Sequence, residues 1–296
     1  MKGIILAGGL GTRLYPSTRV ISKQLMCLYN KPMIYYPLSV LMIAGIREIL
    51  IITNNQHNID SFKELFGDGE LLGIKLSYQI QAEPNGLADA FIIAEEFIGK
   101  DTVCMILGDN FFYGEEFYTN INQSNFIYGA KVFAFKVEHA ENYGVIEFSK
   151  SNQIEGHYAV LSIEEKPKEP KSPYALTGIY YFDQSVVKKA KTLTPSLRGE
   201  LEIVDLIKLY LKEGNCNVQI LEKGTCWFDT GKFSDMLDAA NFVAIVEKRQ
   251  GQMIGCLEEI AYKFGYIDRE ALLEGYQRVS KSEYGQYLFD FIQSLD

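Results

Sequence analysis

The sequence predicts an α/β fold whose sheet is mostly parallel and covered by helices on both faces, and three observations carry that reading. Short apolar runs alternate with helix-length amphipathic segments through the first half of the chain. Two of those runs end in turns rich in glycine or acid, GGLGTR and GDN. The 296 residues, 47% of them hydrophobic, suffice to bury a large core. Strand, helix and strand in repetition build a parallel sheet, because each crossover lays its helix on a face.

The elements follow in order. Residues 3–6 are apolar and stopped by glycines, which suits a buried strand. Residues 32–44 are apolar at helical length, 49–53 form a second strand, and a polar segment runs on to Leu65. A third strand (75–79), a second helix (87–97) and a fourth strand (102–107) complete the first half. Such sheets bind ligands beyond the carboxyl ends of their strands, so GGLGTR and GDN reach one edge together. After Phe111 the strand-like runs 132–137, 144–148 and 163–164 lead into KPKEPKSP (166–173), whose prolines exclude regular structure. The sheet resumes at 178–182. Helices over 185–193 and 202–213 precede a strand at 217–221 and the turn GTCWFDTG, and the text from Lys232 onward is helical (233–250, 254–264 and a region from 269 to 295). There is no internal repeat and no low-complexity segment.

The glycine turn matches neither familiar phosphate loop. A dinucleotide fingerprint counted from Gly9 and Gly11 needs its third glycine where Leu14 stands, and a P-loop needs a lysine where Thr12 and Arg13 follow Gly11. What remains is the physics both share. Gly8, Gly9 and Gly11 let the backbone approach an anion and offer it N–H groups, and Arg13 adds a planar cationic fork suited to phosphate. No acidic residue precedes Glu48, whereas Lys2, Arg13, Arg19, Lys23, Lys31 and Arg47 do, on a chain of formal charge -9. That asymmetry fits a small polyanion such as a nucleoside triphosphate, not nucleic acid. Arg13 and Lys23, close to the turn, read as ligand contacts. Lys2, Arg19 and Arg47 read as solvated charges.

Asp109 and Asp229 each follow an apolar run. Either alone suits a helix N-cap, but together beside a phosphate-type turn they read as a pair able to share Mg²⁺. Glu165 and Lys166, at a strand end, read by themselves as a surface charge pair, although together they could grip a hydroxyl and an anion. Arg198, before Gly199 and an acidic helix start, is either a second phosphate clamp or a surface charge. Tyr143, Tyr180 and Trp227 lie near these motifs, but each taken separately suits core packing better. Five cysteines without a C-x-x-C pair and three scattered histidines support neither a disulfide framework, nor zinc, nor a His-based triad. The longest apolar stretch, 33–46, contains Pro37 and is shorter than the roughly 20 residues a bilayer requires. A cytoplasmic protein without membrane or nucleic-acid partners is expected.

GGLGTRLYPST, SKQL, NKPMIYYPLSVLMIAGIREILII, FGDG, GLADAF, LGDNFFYG, NYGVIEF, EEKPKEPKSPYALTGIYYFD, RGELEIVD, WFDTG, EEIAY and YGQYL stand in this order across nearly the whole chain. Together they resemble the glucose-1-phosphate thymidylyltransferases. The resemblance implies a Rossmann-like mixed sheet with a sugar-binding subdomain, an α/β core over residues 1–232, and a C-terminal helical region over 233–296 packed on it. It implies Mg²⁺-assisted conversion of dTTP and α-D-glucose 1-phosphate to dTDP-glucose and pyrophosphate, by a homotetramer. On that pattern Gly8, Gly9, Gly11, Thr12 and Arg13 cradle the triphosphate, assisted by Lys23 and Gln24. Gln81 and Gly86 read the base, and Asp109 and Asp229 hold the metal. Lys166 and Arg198 grip the sugar phosphate, while Gly144, Glu165 and Tyr180 line the sugar pocket.

The chain departs from the family pattern at several positions. Cys27 and Asn30 replace a usual proline and aspartate, and Ala82 replaces a proline beside Gln81. Asp89 stands where glutamine is usual, and a carboxylate there accepts but cannot donate and repels phosphate if it faces inward. Tyr118 and Met253 replace a histidine and a basic residue associated with inhibition by the end-product nucleotide sugar, dTDP-rhamnose, at a second site. Inhibition by it is therefore expected to be weak or absent, or to be exerted by another nucleotide sugar. Alternatives are a related enzyme preferring UTP or another sugar 1-phosphate, a non-catalytic nucleotide-sugar sensor, which would have no need of Arg13, Asp109 and Asp229, and a nicotinamide dehydrogenase, which would need the missing glycine.

Overall fold

The computed structural model describes residues 1–122, 128–154 and 157–295; Asp296, the last residue of the expected helical region, lies outside them. The chain opens with β1 (Lys2–Leu6), followed by the short ribbon β2 (Cys27–Leu28) and β3 (Lys31–Pro32) and then α1 (Tyr35–Ile43). Pro32 pairs with Cys27 in that ribbon, so the helix starts later than the apolar run does. After β4 (Glu48–Thr53) comes α2 (Gln56–Phe66), in the stretch that reads only as polar. Asn55 starts this helix, its side chain accepting the Asn58 N–H at 2.9 Å. Next are β5 (Lys75–Ile80) and two short helices, α3 (Asp89–Ile93) and α4 (Glu95–Ile98), where one was expected.

The middle of the chain contains β6 (Val103–Leu107), β7 (Asn110–Tyr113), α5 (Glu115–Asn122), β8 (Ala130–Lys136), β9 (Gly144–Ile154), β10 (His157–Glu165) and β11 (Tyr174–Phe182). It continues through α6 (Val186–Ala190), α7 (Ile203–Lys212), β12 (Cys216–Ile220) and β13 (Cys226–Asp229) to the helices α8 (Phe233–Gln250), α9 (Leu257–Lys263), α10 (Arg269–Val279) and α11 (Glu283–Gln293). No helix among the described residues is long and apolar enough to cross a membrane.

Nine strands form one sheet in the order β5-β4-β1-β6-β11-β8-β12-β10-β9. From β5 to β6 all pairs are parallel. Beyond β6 the sheet is mixed: β11 runs antiparallel to β6 and β8, while β12 is parallel to β8. Burial on both faces explains why β1 and β4 are apolar without alternation. Ile4, Leu6, Leu50 and Ile52 enter one core with Phe91 and Phe182; Ile5, Ile49 and Ile51 enter the opposite one with Leu38 and Phe62.

One element outside the main sheet decides where the site lies. β7 and β13 pair antiparallel, with Asn110 opposite Asp229 and Phe112 opposite Trp227. A third core of Leu14, Tyr36, Phe111, Met236 and Val243 packs α8 against this ribbon and against the turn that follows β1. A fourth, of Cys256, Leu272, Leu288 and Ile292, joins α10 and α11 to the loop before α9.

Candidate active site

The turn after β1 is built on left-handed backbone. Gly9 and Gly11 have φ of 90° and 59°, which glycine adopts without the penalty of a Cβ. The Thr18 hydroxyl donates to the Gly11 carbonyl at 2.7 Å and closes the loop. Thr12 and Arg13 lie exposed on a single 3₁₀ turn, Thr12–Leu14, which the buried Leu14 anchors. The Arg13 guanidinium rests against Gly231, where an added Cβ would come within 2.9 Å of Arg13 Nη2. Gly8, Gly9 and Gly11 therefore share one edge with the WFDTG segment.

Lys23 is buried on its own 3₁₀ turn and donates to Asp109 Oδ2 at 2.5 Å. Gly108 brings Asp109 to this place: its N–H bonds Leu6 O at 2.9 Å, and a Cβ there would meet Gln24 Cγ at 2.9 Å. Burial alone would push the Asp109 carboxyl up, but the Lys23 ammonium and the Asn110 amide, 3.0 Å away, hold it below the usual carboxylate range. Thr230 locks the neighbouring strand to the same point, donating its hydroxyl to the Asp109 carbonyl at 2.7 Å. Asp229 has the opposite character. Burial first, and the charge of Asp109 second, push its carboxyl up to about 6, and it takes no hydrogen bond from the described residues.

Two cavities meet at this pair. One, of about 160 Å³, is lined by Gly8, Gly9, Gln24, Gln81, Gly86 and Asp109. In it Gln81 is buried and its Nε2 donates to Gly86 O at 3.1 Å and to Asp89 Oδ2 at 2.9 Å. Asp89 thus faces Gln81, held by the amide. Gln24, 3% exposed, accepts the Ser22 hydroxyl at 2.7 Å.

The other cavity, of about 350 Å³, is lined by Arg13, Asp229, Gly144, Glu165 and Lys166, with Tyr180 and Arg198 completing it. Lys166 has φ of 43°, uncommon for a residue with a side chain, and is held there by its N–H to Tyr143 O at 3.0 Å. Such strain costs about 1–3 kcal/mol and gathers at functional sites. Burial pushes the Glu165 carboxyl up, against the pull of Lys166. Arg198 is held by a paired contact, Nη2 to Glu202 Oε2 at 2.8 Å and Nε to Oε1 at 3.1 Å, and these hydrogen bonds raise its proton affinity. Burial raises the Tyr180 phenol. At Gly144 an added Cβ would stand 3.4 Å from Glu165 Oε2.

Asn110, Glu202 and Trp227 are residues of this site that sequence reasoning missed or left in the core. Asn110, 3% exposed, takes the Trp227 Nε1–H at 2.6 Å and the Gly178 N–H at 3.2 Å on Oδ1 while giving Nδ2 to Asp109. The available signal was an amide standing between an acidic turn and two phenylalanines, where burial demands partners. Glu202 could be read only as an acidic helix start, since its bond to Arg198 depends on how the loop before α7 folds back.

The nucleotidyl transferase family matches residues 2–245. A glucose-1-phosphate thymidylyltransferase of Neisseria meningitidis is 52% identical over 99% of this chain and 100% of its own. One from Mycobacterium tuberculosis is 47% identical over 99% of both. Among solved structures, a Bacillus anthracis chain described as a glucose-1-phosphate thymidylyltransferase, in complex with a sucrose, is 38% identical with a TM-score of 0.73, covering 82% of this chain and 94% of that one. A UDP-glucose pyrophosphorylase complexed with UDP-glucose superposes with the same TM-score of 0.73 at 24% identity, over 84% of this chain and 99% of its own, a likeness of fold. With residues 2–245 matched by the family and nearly its full length covered by such relatives, the chain belongs to the nucleotidyl transferase family and, within it, to the glucose-1-phosphate thymidylyltransferases.

Proposed function

We propose that this chain transfers a thymidylyl group, converting dTTP and α-D-glucose 1-phosphate to dTDP-glucose and pyrophosphate. One observation carries the reading: Asp109 lines the cavity that holds Gln81, its neighbour Asp229 lines the cavity that holds Lys166 and Arg198, and Lys23 stands against Asp109. Two substrates seated in the two cavities meet at that pair.

An oxygen of the sugar phosphate attacks the α-phosphorus, the bond from that phosphorus to the bridging oxygen breaks, and pyrophosphate leaves with the electron pair. The nucleophile is already ionised near neutral pH, so no general base is required. Catalysis is then alignment and charge neutralisation. Lys166 and Arg198 hold the attacking phosphate. Glu202 and Glu165 keep Arg198 in place, and Glu165, Gly144 and Tyr180 contact the sugar. Gly8, Gly9, Gly11 and Thr12 offer N–H groups to the triphosphate, Arg13 and Lys23 neutralise charge that grows toward the leaving pyrophosphate, and Gln24 lines the same wall. Gln81 and Gly86 read the base.

The donor set suits Mg²⁺. Asp229 is a half-buried carboxylate raised by desolvation first and by Asp109 second, and it takes no hydrogen bond from the described residues, a shortage of positive charge that a hard dication with oxygen ligands relieves. Asp109 and Asp229 would hold it, and when bound it supplies Lewis-acid neutralisation of phosphate charge. The assembly is proposed to be a homotetramer; exposed Phe233, Leu237 and Ile245 on α8 support a contact between copies, which light scattering tests.

Pyrophosphate release measured over dTTP, UTP and CTP against several sugar 1-phosphates tests the reaction. Highest kcat/KM is expected for dTTP with glucose 1-phosphate. Absence of turnover with every pair overturns the reading.

A further inference from the structure

The amide of Gln81 has its orientation imposed by two neighbours that can only accept. Nε2 lies 3.1 Å from the Gly86 carbonyl and 2.9 Å from Asp89 Oδ2. A carboxylate and a carbonyl offer no proton, so both N–H groups of the amide are committed and the rotated amide would set Oε1 against two acceptors. Asn85 adds a longer contact, its Nδ2 3.4 Å from the same Asp89 oxygen. Gln81 is 8% exposed, leaving little room for water to stand in for a lost partner. Its Oε1 faces Gly8, 3.7 Å from where a Cβ would stand, on the wall of the 160 Å³ cavity. No donor among the described residues reaches that oxygen.

We infer that Asp89 is a positioning residue for nucleotide specificity: by taking the Gln81 Nε2–H it turns Oε1 into the cavity, so that the chain selects a base with a ring N–H donor. This rests on the thymidylyl-transfer reading of the same cavity. Thymine and uracil carry a proton on N3 between two carbonyls, whereas cytosine presents a lone pair there and would meet Oε1 as acceptor against acceptor. A site built around one hydrogen bond discriminates strongly against a ligand that cannot make it. An amide at position 89 can donate as well as accept, which leaves the Gly86 carbonyl as the remaining contact that can only accept. Asp89 thereby contributes selectivity without touching the nucleotide.

The test compares kcat/KM for dTTP, dCTP and 3-methylthymidine triphosphate, each with glucose 1-phosphate, in the wild type and in Asp89→Asn. In the wild type, 3-methylthymidine triphosphate is expected to fall about a hundredfold or more below dTTP. In Asp89→Asn the dTTP-to-dCTP ratio is expected to shrink by about tenfold, with the loss for dTTP appearing in KM rather than kcat. A purely structural role for Asp89 would lower both nucleotides together. An unchanged ratio in Asp89→Asn, or equal use of the N3-methylated nucleotide by the wild type, overturns the inference while leaving thymidylyl transfer intact. No wild-type turnover of dTTP overturns the transfer reading instead. Calorimetric binding of dTTP and dCTP to both proteins repeats the comparison without turnover.

Discussion

The Lys23 ammonium lies 2.5 Å from the Asp109 carboxylate, across 86 positions of sequence. Lys23 is 9% exposed and Asp109 keeps 24% of its side chain in water, so breaking the pair costs less than for a fully buried one. Lys23→Met is expected to destabilise by about 2 kcal/mol and to lower kcat by about 10²-fold or more. Thermal melts and pyrophosphate-release rates on one preparation check both effects. A near-normal kcat would remove Lys23 from the reaction.

Asp229 should show activity and stability moving in opposite directions. The two neighbouring carboxylates repel, and among the described residues a cation contacts Asp109 but none contacts Asp229. Asp229→Asn removes that repulsion and is expected to raise the melting temperature of the metal-free protein by a few degrees, each 1 kcal/mol being worth roughly 2–4 °C. The same change should lower turnover by orders of magnitude. Calorimetry in EDTA and kinetics in Mg²⁺ separate the two, and a lowered melting temperature would contradict the repulsion.

Trp227 reaches the site through Asn110. Trp227→Phe removes the 2.6 Å bond to Oδ1 but leaves the Gly178 N–H at 3.2 Å, so Asn110 remains partly satisfied. A stability loss of about 1 kcal/mol is expected. Since Trp227 lines the cavity of Lys166 and Arg198, KM for glucose 1-phosphate should rise while KM for dTTP stays within about twofold. Varying each substrate in turn decides this.

Glu247 anchors α8 from outside the site. It accepts from Lys31 Nζ at 3.0 Å, Asn30 Nδ2 at 2.8 Å and the Ile254 N–H at 2.9 Å, and Lys31 is 3% exposed. Glu247→Ala leaves a buried ammonium without its carboxylate, and a loss of about 3–5 kcal/mol is expected with little change in either KM. Denaturant titration measures the stability loss; an unaltered midpoint would mean that Lys31 finds water.

Tyr118 and Met253 line one cavity of about 210 Å³ with Lys263, which is already paired to Glu259 at 2.5 Å. The Tyr118 hydroxyl donates to Phe112 O at 3.2 Å. With one cation engaged and no histidine at position 118, a nucleotide sugar should bind there weakly. Inhibition by dTDP-rhamnose is expected to be slight in steady-state assays. Potent inhibition not competitive with dTTP would show that the cavity works without those donors.

The alternating cores were legible in the letters because burial on both faces writes itself as unbroken apolar runs, and β1, β4 and β6 follow directly from that rule. That the glycine turn, Arg13 and the two aspartates gather at one edge was legible too, since loops beyond the carboxyl ends of neighbouring parallel strands meet there. The helix α2 was not, because its apolar positions are few and its start depends on the Asn55 cap. Nor could the letters show that Thr230 would bond Asp109 across 121 positions, which the register of the β7–β13 ribbon decides. The same holds for Asn110 and for the Gln81 amide. Residue type is local and survives in one dimension, whereas a hydrogen bond needs two groups within about 3 Å and correctly aimed, a condition that only the packed chain meets.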